Sequence, residues 1–530
     1  MPRCGGGRES STIDSLPPRP APRRIRWLPH GAVPSPGALA LSGVCRSYLQ
    51  HLRCRHPAPV PSRRRAPGVL PKLLSGATAL LSFVQPHLIA APSREVLRES
   101  ARAAEARALL ERESWREALA AARALANAAP HDPEAIGVLG EALYRAGRID
   151  EAGRTLAPLV GAGAANARAL LTLGLVRNAE GNDEEASTLV ERAVEADPGD
   201  RRVAFWASTA AASGARAREL LEAYLARSEG DDIDRVRAAQ DSLRFLRALS
   251  GRAVWIPVAT PERIAIPLRA MGSGGRVRGY VLEVDLGKGK PVRLLLDTGS
   301  SGVFLLARVA ERHGFAPLAE STTFGGGGDQ RHETRRGILP RFSVGGLVFK
   351  DALVTTTEEE IEPTGQFHGV LGIQLLEGYR VTLDLARGRL LLDVSPSEPS
   401  GEPYWEVSGQ LLLGSGARLG PQGLFVLDTG AARTLVSAGY AADVPGAILG
   451  KGAPVRGYGG RLESARSVRG IVLGFQGAEV PAEVAADLAL QSRLSGVEVS
   501  GFLGLDLLSS ARVVVDTRSR RIRLDRRASR

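Results

Sequence analysis

The chain is short of cysteine. Three occur in 530 residues, Cys4, Cys45 and Cys54, all within a leader rich in Pro, Arg and Gly. They form no CxxC pair, zinc-type spacing or disulfide framework, and from residue 55 onward a thiol nucleophile is excluded. Histidine is sparse too, and His313, His332 and His368 show no metal-ligand spacing. No metal and no cofactor is therefore expected. Gly325–Gly328 lacks a following Gly-Lys-Ser/Thr, so it is not a phosphate loop. Long apolar runs are also missing: the one candidate, Leu73–Val84, is too short to span a bilayer comfortably.

Basic excess is absent where folded domains lie. The net charge is +12, but residues 1–92 hold 13 Lys and Arg against 2 Asp and Glu, leaving about +1 for the rest. A basic leader can attract nucleic acid or acidic lipid, whereas the folded part has no such excess, so no nucleic-acid partner is expected. Hydrophobic content of 44% and charged content of 24% suit a soluble globular protein of two or more domains.

Residues 1–68 read as a disordered basic leader. Residues 69–92 have the order of a secretory signal: Arg63, Arg64, Arg65 and Lys72, then the apolar run 73–84, then Ala90 and Ala91. The segment lies late for a signal, and initiation near Val69 would place it at the start. The expectation is an exported or periplasmic protein, with a membrane anchor through residues 73–84 as the alternative.

Residues 100–250 are rich in Ala, Leu, Arg and Glu, all good helix formers. They also repeat. Leu139-Gly140 returns as Leu173-Gly174, Gly147 as Gly181, and Ala118 as Ala152 and Ala186, each step being 34 residues. That period, with small residues where helices cross and Gly at the turn, resembles tetratricopeptide repeats. The clearest units are 133–166 and 167–200, flanked by looser matches at 100–132 and 201–234, with 235–250 as a capping helix. Asp132-Pro133 and Asp197-Pro198 mark the turns between repeats. Leu156, Leu170, Leu189 and Trp206 read as core. Such an array stacks into a solenoid that often binds protein, so recruitment of a protein partner or substrate is expected.

From residue 252 the pattern changes to short Val/Leu/Ile runs broken by Gly, which signals strands. One hairpin leads to Asp297-Thr298-Gly299-Ser300, and another leads to Asp428-Thr429-Gly430-Ala431. Gly372 follows Asp297 by 75 residues and Gly504 follows Asp428 by 76, each in an apolar-apolar-Gly segment. Asp384 and Asp516 then end matching strands, and the offset between halves stays at 131 or 132. One Asp-Thr-Gly is common by chance; two with the same downstream framework are not.

On these residues the region resembles the pepsin and retropepsin clan of aspartic peptidases, over about 270 residues. The expected architecture is an N-terminal all-α tetratricopeptide-like solenoid followed by an all-β bilobal peptidase domain. Lobe 1 would span 252–394, a linker 395–403 and lobe 2 404–530. The resemblance implies Asp297 and Asp428 as a catalytic pair acting on polypeptide substrate, with no dimer needed to complete the site. Two carboxyls in contact cannot both ionise easily, so one serves as acid and the other as base. It further implies that Thr298 and Thr429 cross-bond the two loops, and that Gly299 and Gly430 leave room beside the carboxyls. Ser300 is expected to bond its aspartate, which Ala431 cannot do. Flaps over the cleft are expected at Gly325 and Gly326 in lobe 1, and at Tyr458 and Gly459 in lobe 2. The alternative is a peptide-binding scaffold that keeps the fold without catalysis, the helical repeat being its main interaction surface.

Overall fold

Helix-forming sequence and turn chemistry agree along the first half of the chain. In the computed structural model the described residues are 94–526, apart from 274–275, 325–330, 360, 362–364, 396–397, 454 and 458–459. The leader 1–68 and segment 69–92 lie outside them. Among the described residues no helix is long and apolar enough to cross a membrane. The array consists of α1 (Arg94–Glu111), α2 (Trp115–Ala128), α3 (Pro133–Arg145), α4 (Ile149–Gly161), α5 (Ala167–Ala179), α6 (Asp183–Ala196), α7 (Arg201–Thr209), α8 (Gly214–Leu225) and α9 (Ile233–Leu249). Asp132 caps α3 by accepting from the Glu134 and Ala135 amides, and Pro133 takes the first helical position, where no donor is needed. Asn166, Asn182, Asp200, Ser213 and Asp232 cap α5 to α9 in the same way.

The 34-residue period has a packing cause. A Cβ at Gly140 would lie 2.3 Å from the Leu156 side chain, and one at Gly174 would lie 2.9 Å from Val190. Helix α3 thus approaches α4, and α5 approaches α6, at equivalent glycines. Ala118, Ala152 and Ala186 are fully buried at the matching positions of the second helices. Gly147 and Gly181 have φ of 74° and 83°, the left-handed conformation that ends each first helix.

The second half is built of strands in two lobes and a sheet that joins them. In lobe 1, Val292–Leu296 runs parallel to Gly369–Leu371, which pairs antiparallel with Val303–Leu306 on its other side. In lobe 2, Gln422–Leu427 runs parallel to Gly501–Leu503, which pairs antiparallel with Leu435–Ser437. These strands are almost wholly buried, which is why they read as continuous apolar runs. A short helix follows in each lobe, Ala307–Arg312 and Ala438–Asp443.

Between the lobes lies a six-stranded sheet to which both contribute. Its central pair is Arg380–Asp384 against Ala511–Asp516, antiparallel, with Thr382 facing Val514, its own counterpart in the other half. The pseudo-twofold axis therefore passes through this pair. The 395–403 stretch ends in a strand, Glu402–Pro403, which pairs with Arg521–Arg526 at the edge of the sheet.

The array packs on both lobes. Helix α9 lies along strand Ala316–Phe324, where Asp241 accepts from the Thr322 amide at 2.7 Å and Asp234 accepts from Arg331 Nε at 3.0 Å. Against lobe 2, the buried Arg145 donates to the Gly496 carbonyl at 2.9 Å, and Arg116 bonds Glu498 and the Gly439 carbonyl. One apolar cluster runs from α3 through both lobes to Leu524.

The crossing glycines give a direct test. Gly140→Val should destabilise by about 2 kcal/mol, since the branched side chain must displace Leu156. Gly161→Ala, with nothing within 4 Å of the new Cβ, should be neutral or stabilise by up to about 1 kcal/mol. Thermal unfolding of both variants checks the pair; equal effects would contradict the packing account.

Candidate active site

Each Asp-Thr-Gly loop leaves a buried strand and is held by the crossing strand of its own lobe. The Asp297 amide donates to the Leu371 carbonyl and the Asp428 amide to the Leu503 carbonyl, both at 3.0 Å. Behind the first loop, the Gly372 amide donates to the Gly302 carbonyl at 2.6 Å. Behind the second, Asp506 accepts from both the amide and the hydroxyl of Thr434, whose oxygen in turn accepts from the Gly504 amide.

The two loops then bond to each other. Thr298 Oγ1 donates to the Leu427 carbonyl at 2.7 Å and accepts from the Thr429 amide at 3.0 Å. Thr429 Oγ1 donates to the Leu296 carbonyl at 2.8 Å and accepts from the Thr298 amide at 3.1 Å. Both threonines have no exposed surface. A hydroxyl can give and take through a single atom, and each threonine uses both capacities here.

This exchange brings the carboxyls together. Asp297 and Asp428 hydrogen-bond each other and are half-buried. A Cβ at Gly299 would lie 2.7 Å from Asp428 Cγ, and one at Gly430 would lie 2.6 Å from Asp297 Cγ. Glycine is therefore required for space, since any side chain would occupy the position of the opposite carboxyl. The Gly299 amide donates to Asp297 Oδ1 at 2.9 Å; the Gly430 and Ala431 amides donate to Asp428 Oδ1 at 2.7 and 3.0 Å.

Burial pushes both aspartates above the usual carboxylate range. Asp297 is raised well above it, by burial first and then by the neighbouring Asp428 charge, with the Gly299 and Ser300 amides acting the other way. Asp428 is raised by burial, against which its hydrogen bonds from Asp297, Gly430 and Ala431 act. The pair can thus hold one proton between two unequal members.

Ser300 differs from the sequence-based expectation. Its hydroxyl is buried and makes no hydrogen bond among the described residues, so Asp297 lacks a serine hydroxyl bond just as Asp428 does. The Asp297 carboxyl is instead engaged by backbone amides and by Asp428. The four flap candidates, Gly325, Gly326, Tyr458 and Gly459, lie outside the described residues. The strands beside them pair across each gap, Phe324 with Arg331 and Gly457 with Gly460. Asp384 pairs with Arg387, and Asp516 accepts turn amides from Arg518 and Ser519, so both serve the framework. Among the described residues no group of three His, Cys, Asp or Glu is placed to hold a metal.

Sequence reasoning passed over Gln410, which reaches from lobe 2 to donate to the Gly299 carbonyl at 2.7 Å, and over the Thr434–Asp506 pair. Neither has a counterpart in the first half that could have flagged it: Gln374 stands where Asp506 does, and its side-chain amide makes no bond among the described residues.

The aspartyl protease family model matches residues 281–375, the part of lobe 1 that contains the Asp297 loop and its crossing strand. No curated protein matches the chain. Similar solved structures include TTC0263, a thermophilic TPR protein of Thermus thermophilus, at 19% identity over 29% of this chain and 84% of that one, with a TM-score of 0.24. Two structures of MamA, one a mutant and one from AMB-1, are similar at 17% and 18% identity, over 30% of this chain and 91% of theirs, with TM-scores of 0.23. The second half thus contains a stretch similar to aspartyl proteases, and an array of helices with a 34-residue repeat precedes it.

Two predictions test the geometry. Thr298→Val keeps the volume but leaves the Leu427 carbonyl and the Thr429 amide unpaired in a dry site, and should cost about 3 kcal/mol. Thr298→Ser, which keeps the hydroxyl, should cost about 1 kcal/mol, the difference being read from urea unfolding. The raised carboxyls give a pH dependence of defined sign. A group whose folded pKa lies above its unfolded value, about 3.9 for Asp, stabilises fully below that value and ceases to do so as pH rises through the folded pKa. Asp297→Asn removes this titration, so its melting temperature should gain on the wild type as pH rises from about 4 to about 7. Parallel melting curves would show that the Asp297 carboxyl is not raised in the folded protein.

Proposed function

We propose that residues 252–530 form a bilobal aspartic endopeptidase of the pepsin and retropepsin kind, complete within one chain, with Asp297 and Asp428 as its catalytic residues. The observation that carries this is the reciprocal bonding of Thr298 and Thr429, which brings two carboxyls from separate lobes into contact. A scaffold that only bound peptide would have no use for a pair of acids held together against their mutual repulsion.

The shared proton is favoured on Asp297, and the charge on Asp428, whose Oδ1 is stabilised by two amides. Asp428 then takes a proton from water as the water oxygen attacks the scissile carbonyl carbon. Asp297 gives its proton to the carbonyl oxygen, so a neutral gem-diol forms and no free oxyanion must be stabilised. On collapse the carbon–nitrogen bond breaks, the nitrogen takes the proton from Asp428, and a gem-diol hydroxyl returns a proton to Asp297. The dyad ends as it began.

The substrate is an extended polypeptide. Export from the cytoplasm, read from the pattern at 69–92, belongs to the same proposal. So does recruitment of a protein by the helical array, which would use surfaces other than those packed against the two lobes.

Peptide hydrolysis by the full chain should fall at least about 100-fold in Asp297→Asn and equally in Asp428→Asn. Both variants should remain folded, and the wild-type rate should follow a bell-shaped pH profile. Unimpaired turnover by either variant would remove the dyad.

A further inference from the structure

Gln410 opens the strand Gln410–Ala417 and is only 5% exposed. Its Nε2 donates to the Gly299 carbonyl at 2.7 Å, and its Oε1 accepts from Gln491 Nε2 at 2.9 Å. Chemistry forces this orientation. A peptide carbonyl can only accept, so Gln410 must turn its NH2 group to Gly299, which leaves its oxygen for an NH2 group on Gln491. Gly299 touches both carboxyls: its amide bonds Asp297, and its Cα stands against Asp428 with no room for a side chain.

We propose that Gln410 is a positioning residue for the first catalytic loop, and that Gln491 sets the direction of its amide. The proposal rests on the peptidase reading above. A buried amide that fixes the Gly299 carbonyl fixes the peptide plane beside Asp297, and reacting groups lose about 100-fold in rate when displaced by about 1 Å.

Both glutamines are backed by the helical array. Gln410 pairs with Val407 across a tight turn, Ser408-Gly409, in which both residues have positive φ, 52° and 76°. Glu406, Val407 and Ser408 line a small cavity together with Asn178 of α5 and Trp206 and Thr209 of α7. Gln491 lies on the short helix Ala489–Ser495. The residue that ends this helix, Gly496, receives the Arg145 hydrogen bond and lies against the Trp206 ring. The array therefore braces the two segments from which the catalytic loop is held.

The test uses the full chain with Gln410→Met, Gln491→Met and the double variant, methionine keeping the volume without the hydrogen bonds. Two quantities are read: kcat and KM on a peptide substrate, and the titration of the dyad carboxyls by infrared difference spectroscopy. Gln410→Met should lower kcat about 10- to 100-fold with KM within about threefold, and should shift the carboxyl titration. Gln491→Met should lose less, and the double variant no more than Gln410→Met alone, because the residues act in series. A folded Gln410→Met protein with wild-type kcat and an unmoved titration overturns the proposal; additive losses overturn the role of Gln491. Should the wild-type chain cleave no peptide, the peptidase reading fails, and the carboxyl titration alone then decides the positioning role. Should Gln410→Met not fold, Gln410→Asn, one methylene too short to reach, is judged by the same two readouts.

Discussion

Two hydroxyl groups buried where the lobes meet hold the rest of the site in place. Thr298 and Thr429 each satisfy one amide and one carbonyl of the opposite loop. Four backbone groups that would otherwise be orphaned in a dry region are paired, and they pair only if both lobes are present and in register. The contact of Asp297 with Asp428 is a consequence. Two carboxyls would not choose to meet; the threonine exchange and the six-stranded sheet behind it leave them nowhere else to go. Burial raises both carboxyl pKa values, the Asp428 charge adds to the rise at Asp297, and the pair is thereby able to store one proton.

Pseudo-symmetry sets the frame, and departures from it set the chemistry. The crossing strands, the short helices and the central strand pair repeat between halves. The groups behind the two loops do not. Asp506 ties Thr434 and Gly504 together in lobe 2, whereas Gln374 leaves the corresponding place in lobe 1 without such bonds among the described residues. The Gly430 and Ala431 amides both close on Asp428 Oδ1. In the first loop Gly299 does so for Asp297, while the Ser300 amide also turns to the Asp297 backbone carbonyl, at 3.2 Å. Support for the first loop comes from across the lobe boundary, through Gln410.

The helical array is packed against both lobes, not appended on a linker. Buried residues surround α5 on every side, the mark of a helix covered both by its neighbours in the array and by another layer. Trp206 belongs to the array core and also meets Gly496 of lobe 2. Helix α9 covers the edge strand Ala316–Phe324, whose outward amide at Thr322 is satisfied by Asp241. An edge left open would invite pairing with other chains.

Much of this was legible in the linear sequence because local physics wrote it there. A 34-residue period follows from helix crossings that admit only Gly or Ala, and the doubled Asp-Thr-Gly frame follows from a fold in which each lobe repeats the same strand crossing. Periodicity and motif spacing are short-range signals and survive in a string of letters. The bond from the Ser300 hydroxyl to Asp297 was inferred from residue type alone and does not form, because rotamer and packing, not identity, decide where a hydroxyl points. Gln410 and Gln491 were invisible for a related reason. They are 81 residues apart and their partner Gly299 is 111 residues from Gln410, with no repeat to mark them. The sequence determined which residues could form a dyad and a helical stack. The tertiary structure decided that the stack lies against both lobes and that a glutamine from one lobe bonds the Asp-Thr-Gly loop of the other, since such contacts depend on how finished surfaces meet.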